Sequence, residues 1–255
     1  MDADPLLLQA APIEKLRQLE IEEARSLQRA MVPAEPLRAH SVEFACKFRP
    51  AVEVGGDFLD YFWLDDKRLG FYLGDVVGKG LPAAMYAALA VGTLRGIKKT
   101  GEQPTNVLGL LNRRLRMRVP PARYCAAQYG VFDPATGELC YSNAGLPRPL
   151  HISGTGCVEI GEGGLPSGLF PDSQYEQYTV KLGPGDAVLF TTDGIIEAQN
   201  ATGDDFGLER LMEVSSQPRG QSPDGLLGRV FEAVDRFVAG APQHDDMAAA
   251  VLKLA

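Results

Sequence analysis

The chain has 255 residues, 45% of them hydrophobic and 23% charged, and a formal net charge of −8. That length supports a full core without disulfide help. The acidic balance excludes a phosphate-backbone binder, which needs a basic face, so no nucleic-acid partner is expected. The start, "MDADPLLLQAAP", lacks the basic opening of a secretory signal. Residues 13–33 place Ile13, Leu16, Ile21, Ala24, Leu27 and Met31 close to a 3.6-residue period, with charges between them, and Pro33 and Pro36 end the pattern. We read residues 1–36 as a regulatory or linker helix. It either packs on its own domain or joins an upstream sensor module or a second copy of the chain. Residues 37–255 then form the main domain.

From residue 41 the period becomes two. "SVEFACKF" reads as a strand, and "FLDYFWL" (58–64) with "RLGFYLGDV" (68–76) as a hairpin. "LPAAMYAALAVGTLRGI" (81–97) is an Ala-rich buried helix with Pro82 in its first turn. Its uncharged run, Leu81 to Leu94, is too short to span a bilayer. Residues 104–119 form a second helix, with a basic face. "YCAAQYGVF" and "LCYSNAG" flank the turn formers of "DPATGE", and "PLHISG" and "GCVEIG" suggest another hairpin. "YEQYTVKL" and "DAVLFTT" are strands, residues 207–216 and 222–238 are helices, and "MAAAVLKLA" is a closing apolar strand. The order predicts an α+β fold with largely antiparallel sheets rather than a βαβ array. Cys46, Cys125, Cys140 and Cys157 include no C-x-x-C pair and read as reduced thiols. The protein is expected in the cytoplasm, away from membranes.

The acids follow a pattern. Asp57 opens one arm of the 58–76 hairpin and Asp75 closes the other, so a turn near Asp65–Lys67 sets them opposite each other. Asp193 follows an apolar strand, and Asp245 and Asp246 precede one. Like charges this close either raise a pKa or bind a cation. Two carboxylates suit acid–base work. Four or five with no nearby His or Cys except His244 suit a hard cation, Mg²⁺ or Mn²⁺, better than zinc. Gly-Asp at a strand end is also ordinary turn chemistry, and it is the four acids together that favour metal. No P-loop, zincin, nucleophile-elbow or dinucleotide fingerprint is present.

At these residues the sequence resembles the metal-dependent serine/threonine phosphatases of the 2C type (PPM), in the bacterial sporulation-stage-II-E branch that includes the phosphatases of sigma-factor partner switching. The resemblance covers about residues 12–254. It rests on ordered blocks: "LQRAMVP", "FRPAVEVGGDFLDYF", "LGDVVGKGLPAAMYAAL", "YSNAGLPRPL", "GGLPSGLF", "DAVLFTTDGIIEAQNATGDDFGLERL" and "HDDMAAAVLKL". It implies a central sandwich of two antiparallel sheets with helices on both faces, and two Mn²⁺ or Mg²⁺ ions at one end. Asp57, Asp75 and Asp193 would be catalytic. Asp75 would bridge the metals, the Val76 carbonyl would bind one, and Asp193 and Asp245 the other. Asp57 would act directly or through water, with Asp246 as the rival to Asp245. A water activated by the metal pair would attack phosphoserine or phosphothreonine on a signalling protein, such as an anti-sigma-factor antagonist.

Two departures bear on function. Lys79 stands in "DVVGKG" where many relatives carry histidine, so it is a candidate substrate-binding residue or a solvated turn residue. Leu146 stands in "NAGLP" where relatives often carry histidine. These favour the alternative of a catalytically impaired, partner-binding module; a hydrolase of small phosphates or nucleotides is a third reading. The arginine that binds phosphate in eukaryotic members has no clear counterpart, Arg49 being nearest in sequence. "GGLPSGLF" is either a tight surface turn or a loop that adjusts the site. "QNATGDDFG" (199–207) is read as a flap or docking surface.

Overall fold

The computed structural model of the chain describes residues 5–39, 41–97, 103–117, 123–216 and 221–255. The last two residues of the expected helix at 104–119 lie outside the described residues. Helix α1 runs Pro5–Met31 and leads into the short strand β1 (Leu37–Ala39) and β2 (Val42–Arg49). β3 (Phe58–Trp63) and β4 (Leu69–Val76) form the expected hairpin, followed by helices α2 (Gly80–Ile97) and α3 (Pro104–Arg116). The strands β5 (Cys125–Asp133), β6 (Glu138–Ala144), β7 (Leu150–Ser153), β8 (Gly156–Glu159), β9 (Tyr178–Lys181) and β10 (Ala187–Thr191) come next. The chain ends with α4 (Asp193–Ile196), α5 (Gly207–Ser215), α6 (Pro223–Val238) and β11 (Met247–Leu254).

The strands make two antiparallel sheets, as the α+β reading expects. One has the order β1-β2-β11-β10-β7-β8 and the other β3-β4-β5-β6-β9. The turn at 183–186 therefore carries the chain from one sheet to the other, so β9 and β10 are not a hairpin. Period-two alternation explains the layers. In β4, Leu69, Phe71 and Leu73 point between the sheets, while Tyr72 and Val76 point out beneath α2 and α3. In β11, Ala248, Ala250 and Leu252 face inward, and Met247, Ala249 and Val251 face out beneath α6. A strand buried on both faces has no polar side to show, which is why "MAAAVLKL" reads as a continuous apolar run.

One helix, α2, is long and apolar enough to cross a membrane by length and composition. Here one face of it, including Ala83, Ala87, Ala90 and Leu94, is packed in the core beneath the five-stranded sheet. Beyond Ile13 the first part of α1 is exposed, with Ile13 and Leu16 in solvent, but Gln28 near its end is buried. The Arg95 guanidinium at the end of α2 donates to the Met31 carbonyl and to the buried Asp60 carboxylate, each at 3.0 Å, and so ties α1, α2 and β3 together.

Candidate metal centre

The β3–β4 register pairs Phe58 with Gly74, so the next pair outward is Asp57 with Asp75. At the same end of the sandwich, β10 stops at Thr191 and β11 starts at Met247. That brings Asp193, at the start of α4, beside Asp245 and Asp246. The hairpin acids come from one sheet and the other three from the second. Two glycines permit the approach. A Cβ on Gly56 would lie 2.9 Å from the Val76 carbonyl oxygen, and one on Gly194 would lie 1.9 Å from the Asp246 carbonyl oxygen.

The acids feel one another. Asp57 is 2% exposed, and its carboxylate accepts a hydrogen bond from Thr192 Oγ1 at 2.7 Å. Burial first, and then the Asp75 charge, push the Asp57 pKa well above the carboxylate range. Asp75 is pushed up to about 7, by burial and then by Asp193. The two carboxyls face each other across the hairpin, and the charge on Asp75 raises the cost of ionising Asp57. Asp193 is raised by burial and then by Asp245. Carboxyls gathered at strand ends and desolvated, with their pKa values raised by burial and by one another, fit a site completed by hard cations. Among the described residues, no three His, Cys, Asp or Glu side chains stand close enough together to hold a metal ion as they are.

Asp245 and Asp246 differ in what their carboxylates do. Both oxygens of Asp246 accept backbone N–H groups, from Ala51 at 2.7 Å and Gly56 at 2.5 Å. Asp246 therefore anchors the 51–57 loop. The Asp245 side chain is 37% exposed and lies 3.7 Å from Lys79 Nζ. Lys79 thus stands at the rim of the cluster.

Other candidate positions fall elsewhere. Arg49 is held by Asp235 at 2.7 Å and stacks over Phe231 beneath α6. Leu146 is 4% exposed in the inter-sheet core, and its N–H donates to Asn143. The 163–170 segment meets the five-stranded sheet at its acidic end through a single bridge, Ser167 to Cys125. Ser167 and Cys125 exchange two backbone hydrogen bonds of 2.8 Å, next to the Cys125–Val76 pair. Asn112 of α3 clamps that segment, donating to the Phe170 carbonyl and accepting from Gly168 N–H. Residues 199–205 form a self-bonded turn in which Asn200 Oδ1 accepts from Thr202 and Asp204 N–H. The roles of Asp246, Asn112 and Gln28 escaped sequence reasoning, since each depends on a contact with a distant segment's backbone, which leaves no spacing signal.

Two antiparallel sheets between helical layers, with an acidic cluster at one end, are the architecture of PP2C domains. The fold is shared with the SiaA-PP2C domain of Pseudomonas aeruginosa, at a TM-score of 0.85 and 21% identity, over 96% of this chain and all of that one. The family described as Stage II sporulation protein E (SpoIIE) matches residues 65–255, and the chain belongs to it. Among relatives, protein IcfG of Synechocystis is 27% identical over 91% of this chain and 41% of its own length. The phosphoserine phosphatase RsbU of Bacillus subtilis is 24% identical over 92% of this chain and 70% of its own. The chain thus spans less than half of one relative and about two thirds of the other.

Proposed function

We propose that this chain is a metal-dependent protein serine/threonine phosphatase acting on a phosphorylated signalling protein, such as an anti-sigma-factor antagonist. The observation that carries the reading is the convergence, from separate segments of both sheets, of Asp57, Asp75, Asp193 and Asp245 at one end of the sandwich. RsbU, a relative over most of the chain, is itself named a phosphoserine phosphatase.

Asp75, the Val76 carbonyl, Asp193 and Asp245 would hold two Mn²⁺ or Mg²⁺ ions, with Asp57 joining directly or through water. Bound cations supply charge for the phosphoryl oxygens and lower the pKa of water to near neutrality. Asp57 and Asp75 would hold the cations as carboxylates, and the Thr192 hydroxyl, which donates to Asp57, would keep that side chain in place. The same hydroxyl accepts from Ala248 N–H at 2.9 Å, which fixes its own orientation. Lys79, which lies 3.7 Å from Asp245, would meet the dianionic phosphate once Asp245 held a cation.

Residues 37–255 form the catalytic domain in this reading. The 1–36 segment is its control element, linking it to a sensor module or a second copy through Ile13 and Leu16. The test is hydrolysis of p-nitrophenyl phosphate and of a phosphoserine peptide with Mn²⁺. The wild type should turn over both, and Asp75→Asn should lose at least 100-fold, as removal of a directly stabilising group does. Wild-type rates in Asp75→Asn, or hydrolysis of nucleotides in preference to phosphopeptides, would overturn the assignment.

A further inference from the structure

We propose that Gln28 of α1 is a positioning residue for Asp57, and that through the backbone of Gly55–Asp57 it sets the affinity of the acidic cluster for a divalent cation. The inference rests on the metal-dependent reading above. Gln28 is 5% exposed. Its amide meets the peptide of Gly55 in both directions: Nε2 donates to the Gly55 carbonyl at 2.7 Å, and Oε1 accepts the Gly55 N–H at 3.0 Å. An apolar side chain would serve plain helix packing at such a site. A buried amide matched to one peptide group fixes that group's position and orientation instead.

The other side of the same loop is held by Asp246, through the N–H groups of Ala51 and Gly56. The loop has no slack between the two grips. A Cβ on Gly55 would stand 2.5 Å from the Asp246 carboxylate. Asp57 follows two residues later, with its own carboxylate on Thr192. The second α1 contact with this loop, Arg25 Nε to the Glu53 carbonyl, is exposed, so the buried Gln28 clamp carries the coupling. Without it, the Gly55 peptide loses both Gln28 partners, and the loop keeps Asp246 and the exposed Arg25 contact.

The experiment uses the full chain with Gln28→Leu, which keeps the bulk and removes the amide. Mn²⁺ is titrated calorimetrically, and amide hydrogen exchange is followed in the metal-free protein. The Mn²⁺ Kd should rise by roughly 10–100-fold, the cost of removing a partner that orients a metal ligand. Exchange at Gly55 and Gly56 should speed up, with the centre of β5 unchanged. At saturating Mn²⁺, kcat should return to within about twofold of wild type, a recovery that general destabilisation would not give. Gln28→Glu, which retains an acceptor for Gly55 N–H, should fall between the two and serves if the leucine variant does not fold. An unchanged Mn²⁺ Kd with unchanged Gly55 exchange would overturn the proposal. Failure of the wild type to bind Mn²⁺ would instead sink the metal-dependent reading, and the amide exchange alone would then decide whether Gln28 holds the loop.

Discussion

Asp75 is a carboxyl whose pKa is pushed up because it is desolvated and faces other acids. Its folded pKa, about 7, lies above the ordinary value of 3.8. Between those pH values the folded chain binds more protons than the unfolded one, so stability falls as pH rises. The raised pKa values of Asp57, Asp193 and Asp246 add the same sign. The metal-free protein should therefore lose on the order of a few kcal/mol between pH 4 and 7. Thermal melts at steps from pH 5 to 7.5 should show a falling Tm, with a shallower fall in Asp75→Asn. A Tm that rises across that range would contradict the electrostatic description. At this scale the sequence was most legible where local geometry decides. The hairpin turn alone places Asp57 opposite Asp75. It was least legible for Asp245 and Asp246, adjacent acids that differ only in whether backbone N–H groups from residues 51–56 occupy their oxygens.

Among the elements, the join of α1 to the domain is the one that sequence periodicity could not resolve. The apolar stripe was visible, but stripe residues divide. Ile21, Ala24 and Met31 are partly covered, whereas Ile13, Leu16 and Leu27 stay exposed. What fastens α1 is polar: Gln28 on Gly55, and Arg95 on the Met31 carbonyl. Arg95 also neutralises Asp60, which is 9% exposed and accepts from the Tyr72 hydroxyl. Arg95→Met leaves that carboxylate without its counter-charge, at a cost of roughly 1–3 kcal/mol, which lowers the Tm by roughly 2–10 °C. A melt of Arg95→Met within 1 °C of wild type would show that the network adds nothing. The strands were legible either as alternation, as in β9, or as short apolar runs between turn signals, as in β10 and β11. The short α4 and β1 were missed because a four-residue helix and a three-residue strand hold too few residues to show a period.

For the whole molecule, the sandwich serves as a frame that delivers strand ends. Each sheet contributes acids at the same end, and in the proposed reading divalent cations offset their charge. The control segment can be divided by truncation. Removing residues 1–20 takes away Ile13 and Leu16 but keeps Gln28, so it should abolish any dimer in sedimentation while leaving the Tm within about 2 °C. Removing residues 1–32 should also lower the Tm, since it strips the clamp and exposes the Asp60–Arg95 network. Identical sedimentation of all three forms would remove the dimer role proposed for α1. The most direct test of the central claim is anomalous diffraction at the manganese edge from crystals grown in Mn²⁺. Two peaks bounded by Asp75, the Val76 carbonyl, Asp193 and Asp245 are predicted; a map with no peak among those groups would contradict the account.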